Sequence, residues 1–423
     1  MTVVSALMIL FYNLILAVFF IPIFILFLLR YRTRLATEFF YRWRERFGIL
    51  QINQPDDTRP ALWVHCASIG EVRAVEPLLA HLKDYRIFMS VHTLAGRQYA
   101  ENMRLAHEVF FAPLDFGFIV ARAMKKINPC GLILVETEFW PGLLWAAKKM
   151  NVTVVVVNGR LSARSFPFYS ATGFFWKYWL SSIGRIAARS AEDAARFISL
   201  GVPEERIFVT GNLKYDRPAE NAAAGKTTIG FNDGDFVIVA GSTRSGEEAL
   251  IFEAFNEIRA RLPGARLIIA PRHINRVGKV CALAGKYGIP FALYSRRDGV
   301  SGSCIIVDIF GELTKIYSAC DAAFVGGSLV KKGGQNPIEP ASFGKPVLFG
   351  PHMFNFNPEK SLLMQAGGGI EVSNKEQLIE AVLSLAHNGE MRRAAGKKAI
   401  EAVESQKGSV ERTVKIIKEA LTL

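Results

Sequence analysis

The chain falls into stretches by its pattern of apolar and polar positions. From Val3 to Leu29 the residues are apolar, broken only at Ser5, Tyr12, Asn13 and Pro22. As a helix this run extends ~40 Å at 1.5 Å per residue, enough to cross a bilayer with tilt. From Ala61 the pattern changes to short apolar runs alternating with helix-period segments. The runs at 61–65, 86–91, 108–111, 131–135 and 152–157 read as strands. The segment "VTVVVVN" is continuously apolar, as expected of a strand buried on both faces. Such alternation predicts a parallel sheet covered by helices. Residues 211–234 are polar and rich in small side chains, and read as a linker. A second series comes next, with strands near 236–240, 266–270, 304–307, 322–325 and 346–349, and helices at 374–387, 390–404 and 408–421. The expected architecture is α/β: a membrane helix (1–30), a Rossmann-like domain (31–210), the linker (211–234) and a second Rossmann-like domain (235–423). A cleft between the carboxyl ends of two such sheets suits an enzyme that joins two substrates.

Charge sharpens the picture. The first 29 residues carry none, and Arg30, Arg32, Arg34, Arg42, Arg44 and Arg46 come directly after. The positive-inside rule places this flank and the remainder of the chain in the cytoplasm. No basic segment precedes the run and no small-residue cleavage site ends it, so a retained anchor is expected rather than a signal peptide. Arginines interleaved with aromatic residues suit an anionic membrane surface, with Arg42, Arg44 and Arg46 as its contacts. The formal net charge of +13 suggests an anionic partner. Hydrophobic residues at 50% and charged residues at 21% exclude a disordered or polytopic membrane chain. Five scattered cysteines without a C-x-x-C pair indicate neither a zinc ribbon nor a disulfide scaffold.

The candidate chemistry sits where strands hand over to helices. In "ALWVHCASIGEV", Glu71 opens the helix after the first strand, where an acid either serves a site or is held by the helix N-terminus. In "LILVETEFWPGLLW", Glu136 and Glu138 either cap the next helix or face a site. Burial beside Phe139 and Trp140 would raise the pKa of such a carboxyl. In the second half, "VGGSLVKKGGQNPIEP" places a loop with Gly333, Gly334 and Gln335 before Asn336, Pro337, Ile338 and Glu339. Asn336 reads as an N-cap, Pro337 as the first helical residue and Glu339 as the partner in a capping box. A glycine turn before a helix also makes an anion site. Ser242 and Thr243 end one strand, and Arg272 and His273 come just after another, with Arg272 suited to pair with a phosphate. "DIFGELTKIY" is a further handover.

The ordered motifs "ASIGEV", "VETEFWP", "GNLKYD", "APRH", "GEL" and "FVGGSL…GGQNPIEPASFGKPVLFGP…NF" resemble those of bacterial lipid A Kdo transferases, across essentially the whole chain. Gln335 stands where that family usually has His. The resemblance implies a GT-B fold and inverting transfer of Kdo, an acidic eight-carbon sugar, from CMP-Kdo to a lipid A precursor, with no metal and no cofactor. It implies Glu71 as general base and Glu138 and Lys214 as transition-state helpers. The implied CMP contacts are Pro271, Arg272, Gly311, Glu312, Leu313 and Asn336 to Glu339. The inner membrane would be the partner surface, with the catalytic domains facing the cytoplasm and no nucleic acid bound. Two other readings fit parts of the pattern: a GT-B enzyme using another nucleotide sugar, and a non-catalytic, membrane-tethered nucleotide-binding module.

Overall fold

In a computed structural model the residues described are 3–30, 40–52, 57–162, 165–216, 225–296 and 302–422. Arg32, Arg34 and residues 217–224 of the expected linker lie outside them. The chain forms two compact units: Met1–Arg217 with Lys407–Leu423, and Pro218–Gln406.

The first unit is a seven-stranded parallel sheet: β1 (Ala61–Cys66), β2 (Arg86–Val91), β3 (Glu108–Phe111), β4 (Gly131–Val135), β5 (Thr153–Gly159), β6 (Arg185–Ala188) and β7 (Ile207–Val209). Its order is β3-β2-β1-β4-β5-β6-β7. Successive side chains of a strand point to opposite faces, so a doubly covered strand must be apolar throughout. Accordingly Trp63 enters one core cluster with Leu132, Leu134 and Val156, whereas Leu62 and Val64 enter the other with Ile133 and Val155. The order reverses between β1 and β4. Such a switch point, at the carboxyl ends of the strands, is where open α/β sheets place ligands.

The second unit repeats the plan: β8 (Phe236–Thr243), β9 (Ala265–Pro271), β10 (Phe291–Leu293), β11 (Cys304–Ile306), β12 (Ala322–Val325), β13 (Val347–Phe349) and β14 (Gly369–Glu371). All its pairings are parallel, in the order β10-β11-β9-β8-β12-β13-β14. Here the switch lies between β8 and β12.

The strands expected from the sequence form, within a few residues at each end. Four others, β6, β7, β10 and β14, escape the apolar pattern. The edge strands β7, β10 and β14 are three residues each and only partly buried. The sequence of β6 is "RIAA", and alanine is a poor strand former.

The last helix, Ser409–Leu421, is expected with the second domain but lies in the first unit. Its buried face, Val410, Ile416, Ile417 and Ala420, joins the cluster that contains Val155 and Val157. Burying each of the larger side chains contributes about 1.5–3 kcal/mol. The expected linker also narrows. Leu213 and Tyr215 are buried in a helical turn of the first unit, and Ile229 and Phe231 belong to a core cluster of the second.

Val3–Arg30 forms one 28-residue helix with Pro22 inside it. Its side chains are described at 5–19 and 22, and among the described residues no helix is long and apolar enough to cross a membrane. The helix does not stand apart. Ile9 joins the first unit's core, the Tyr12 hydroxyl donates to Asp115 Oδ2 at 2.9 Å, and Asn13 Oδ1 accepts from the Gly117 amide at 3.2 Å. Leu7, Leu10, Phe11, Leu14, Val18 and Phe19, on its other faces, are exposed.

Candidate active site

In the first unit, the carboxyl ends of β1 and β4 gather the acids singled out in the sequence. Ser68 ends the β1 turn in extended conformation, and the helix Ile69–Leu79 begins behind it. Glu71, in the first turn, reaches back: its Oε2 accepts from the Ala67 amide at 2.5 Å and its Oε1 from the Ser68 hydroxyl at 3.2 Å. The carboxyl group is thus held by its own helix N-terminus, which on its own lowers the pKa. Burial outweighs these bonds, and the charges of Glu138 and Glu136 add to it. The pKa of Glu71 is pushed up to about 8.

After β4 the backbone turns sharply. Glu136 has φ 59°, and Asn158, at the matching point of β5, has φ 53°. Left-handed conformations at non-glycine residues are strained and collect at functional sites. The two side chains meet: Asn158 Nδ2 donates to Glu136 Oε1 at 3.3 Å, and Asn158 Oδ1 accepts from the Leu213 amide. Lys214 Nζ lies 3.3 Å from the same Glu136 oxygen. Lys214 is therefore tied to Glu136, which was not among the expected helpers.

Neither Glu136 nor Glu138 caps the helix Pro141–Lys149. Asp115 does this from another loop, its Oδ2 accepting from the Gly142 amide at 2.7 Å and its Oδ1 from Leu143 at 2.8 Å. Glu138 is left to face His65 and Trp140. Its Oε2 accepts from Trp140 Nε1 at 2.7 Å and stands 3.8 Å from His65 Nε2. Burial pushes its pKa up, but His65, Trp140 and His92 outweigh burial, and the net shift is downward. This reverses the expectation from the flanking aromatic residues, because Trp140 donates to the group it helps bury and the two histidines favour its charged form.

Of the three arginines expected at a membrane surface, Arg42 and Arg44 are exposed. Arg46 is 8% exposed: its guanidinium stacks 4.3 Å from the Phe111 ring centre and donates to the His92 carbonyl. It is part of the fold and offers no contact to lipid.

In the second unit the ends of β8, β9 and β12 converge. Ser242 has φ 56°, Thr243 is fully buried and paired with Pro271, and the Arg272 amide donates to the Thr243 carbonyl at 3.0 Å. Glu247 joins two of these loops, accepting at one oxygen from the amides of Arg244 (2.8 Å) and Gly327 (2.6 Å). Burial raises its pKa to about 7 despite those bonds. A Cβ on Gly326 would lie 2.6 Å from the Ser242 carbonyl and 2.7 Å from Glu247, so only glycine lets the loops touch. Arg272 and His273 are exposed, and His273 Nε2 lies 2.7 Å from Arg244 Nη1. Some burial, with the charges of Arg244, Arg272 and Arg276, lowers the pKa of this imidazole.

The glycine loop closes on the same end. Gly333 and Gly334 have φ of 88° and 73°, and the Gly334 amide donates to the Gly327 carbonyl. The helix after it begins later than expected and lasts four residues, Ile338–Ala341, with Pro337 rather than Asn336 in the cap position. Asn336 Oδ1 accepts from the Ile338 amide, and its Nδ2 donates to Glu339 Oε1 at 3.3 Å. This side-chain pair replaces the expected capping box. One helical turn also carries little dipole, so the loop's backbone is the main source of donors. Gln335 is half-buried beside it. Within the 308–317 segment, Gly311 has φ 98° with open space where a Cβ would stand, and Glu312 accepts from the Tyr294 hydroxyl at 3.2 Å ahead of the helix Leu313–Ser318.

Residues 41–217 match the family model described as 3-deoxy-D-manno-octulosonic-acid transferase (kdotransferase). The transferase of that name from Haemophilus influenzae is 33% identical over 401 residues, 92% of each chain. The one from Bordetella pertussis is 32% identical over 393 residues, covering 89% of this chain and 91% of that one. This chain belongs to the 3-deoxy-D-manno-octulosonic acid transferase family. It is accordingly a glycosyltransferase. The fold of its two α/β units is shared more widely among GT-B proteins. A glycosyltransferase from Rickettsia africae superimposes with a TM-score of 0.60 at 13% identity, over 86% of this chain and 99% of that one. A UDP-GlcNAc 2-epimerase from Neisseria meningitidis gives 0.58 at 15% identity, over 86% and 99%. At such identities the likeness concerns the fold alone.

For this Kdo transferase family member, the sequence missed His65, Ser90, His92 and Asp115. His65 precedes Glu71 by six residues on a strand that is otherwise apolar. A polar residue in a fully buried strand needs a partner, and that signal could have marked it. The others depend on contacts between distant loops.

Proposed function

We propose that the protein transfers Kdo from CMP-Kdo to a lipid A precursor, with inversion, during assembly of the lipopolysaccharide core. One observation carries the mechanism: Glu71, at the switch point of the first sheet, has a carboxyl group whose pKa is pushed up to about 8. A base is most effective when its pKa lies near the working pH. Glu71 takes the proton of the acceptor hydroxyl as that oxygen attacks the anomeric carbon from the face opposite the nucleotide. The bond to CMP breaks and CMP leaves as an anion. Lys214, fixed by Glu136, and ionised Glu138 shape the field around the attacked carbon. Arg272, the glycine loop and the Asn336–Glu339 segment bind the departing nucleotide, and their fixed donors stabilise its charge without a metal or cofactor.

The acceptor carries phosphates and acyl chains, which agrees with the exposed apolar faces of the first helix and with Phe168 and Phe174, both exposed on the first unit. The uncharged run and the arginines after it support a helix anchored in the inner membrane with the catalytic units in the cytoplasm. The test is mass spectrometry of a lipid A precursor incubated with the full chain in vesicles. A mass gain of one or more Kdo units with CMP-Kdo, and none with UDP-sugars, is expected. Transfer from a UDP-sugar alone would overturn the reading.

A further inference from the structure

Beside the acids of the first unit lies a group of side chains that sugar transfer does not use. His65, on β1, is 2% exposed. Its Nδ1 is 2.8 Å from Ser90 Oγ on β2, which also accepts from Trp63 Nε1 at 2.7 Å. Its Nε2 is buried and makes no hydrogen bond, and the same holds for Nε2 of His92. The two rings meet edge to face with centres 5.2 Å apart. Glu138 Oε2 is 3.8 Å from His65 Nε2, too far for a hydrogen bond. One donor atom from each of the three residues lies within 4.8 Å of the others.

A buried nitrogen without a partner costs about 1–3 kcal/mol, so two around one carboxylate call for an occupant. Two imidazoles and one carboxylate are a ligand set for zinc-class ions, with a fourth position left open. Magnesium and calcium prefer oxygen donors and are disfavoured here. Tetrahedral bonds of about 2.0–2.2 Å put ligand atoms roughly 3.4 Å apart, so side-chain rotations of under about 1 Å would complete the site. The outer contacts of such a site are present. Ser90 Oγ can accept a hydrogen bond from His65 Nδ1–H, which leaves the lone pair on Nε2 facing inward, and Trp140 Nε1 steadies the carboxylate.

We propose that His65, His92 and Glu138 form a binding site for a zinc-class divalent ion, and that its occupation inhibits transfer by withdrawing Glu138. The inhibition rests on the part given to Glu138 above, whereas the binding does not. The probe is cobalt(II), added to the metal-free full chain in detergent, in a Cys130→Ser background that removes the exposed thiol. A saturable visible band of four-coordinate cobalt at one equivalent is expected, displaced by zinc and not by magnesium. His92→Phe should abolish the band, and so should Glu138→Gln, which changes one atom and guards against misfolding of the first variant. In transfer assays zinc should inhibit the parent protein, and His92→Phe, compared with its own zinc-free rate, should need at least tenfold more zinc for the same fractional inhibition. Absence of a one-equivalent band, or a band that survives both substitutions, overturns the site. A band without inhibition overturns the switch and counts against Glu138 in transfer.

Discussion

At Glu71 several influences act on one carboxyl group. The Ala67 amide and the Ser68 hydroxyl favour its charged form, while burial and the charges of Glu138 and Glu136 favour the neutral one. The first pair is legible in the sequence, because an acid three residues after a serine at a helix start is a local pattern. The second is not, because burial and the approach of the β4 loop are properties of the folded sheet. The same limit explains Glu138, whose flanking aromatic residues suggested a raised pKa before His65 was known to face it. In the second unit, Gly326 offers a test at one residue. Gly326→Ala forces the β8 and β12 loops apart, at a cost typical of overpacking, about 1–3 kcal/mol. CMP affinity, measured by calorimetry, should fall about tenfold or more, since about 1.4 kcal/mol is a factor of ten. Circular dichroism should remain that of the parent. Unchanged affinity would remove these loops from the donor site.

Elements were legible where they are long or buried on both faces. The central strands β1, β4, β5, β8 and β9 announce themselves as apolar runs, whereas the three-residue edge strands carry too few buried positions to do so. The helix Ser409–Leu421 was seen as a helix, but its partner was not, because an apolar stripe does not say which core it will join. Its placement has a polar signature as well. Asp216 accepts at Oδ1 from the Gly408 amide at 2.6 Å and at Oδ2 from the Val410 amide at 2.5 Å. Asp216 thereby caps a helix almost two hundred residues away in sequence. Asp216→Ala should lower the stability of the first unit by about 1–2 kcal/mol, the usual value of a lost N-cap, in denaturant unfolding. A change within error would mean that the apolar face alone holds the helix.

For the molecule as a whole, several buried carboxyl groups have pKa values above the ordinary range. Burial raises Asp115 to about 7, against its bonds from Gly142, Tyr12 and Leu143. A carboxyl group raised on folding binds its proton more tightly in the native state. Its contribution to stability is complete below the unfolded value of about 4 and is lost as the pH rises through about 7. The unfolding free energy should therefore decline over that range, and Asp115→Asn should flatten the decline whatever it does to the absolute value. A decline as steep in the variant as in the parent would exclude Asp115 as its source. The two-sheet architecture was legible because alternating runs dictate it, and the family was legible because its motifs sit at strand ends in order. The central claim, that Glu71 is the base of a sugar transfer, is tested most directly by the pH dependence of kcat/KM for the parent and for Glu71→Gln. The account predicts a parent rate that climbs with pH and levels above about 8, and a variant that still binds CMP but is slower by about 100-fold or more at every pH. A variant with near-parental turnover would contradict it.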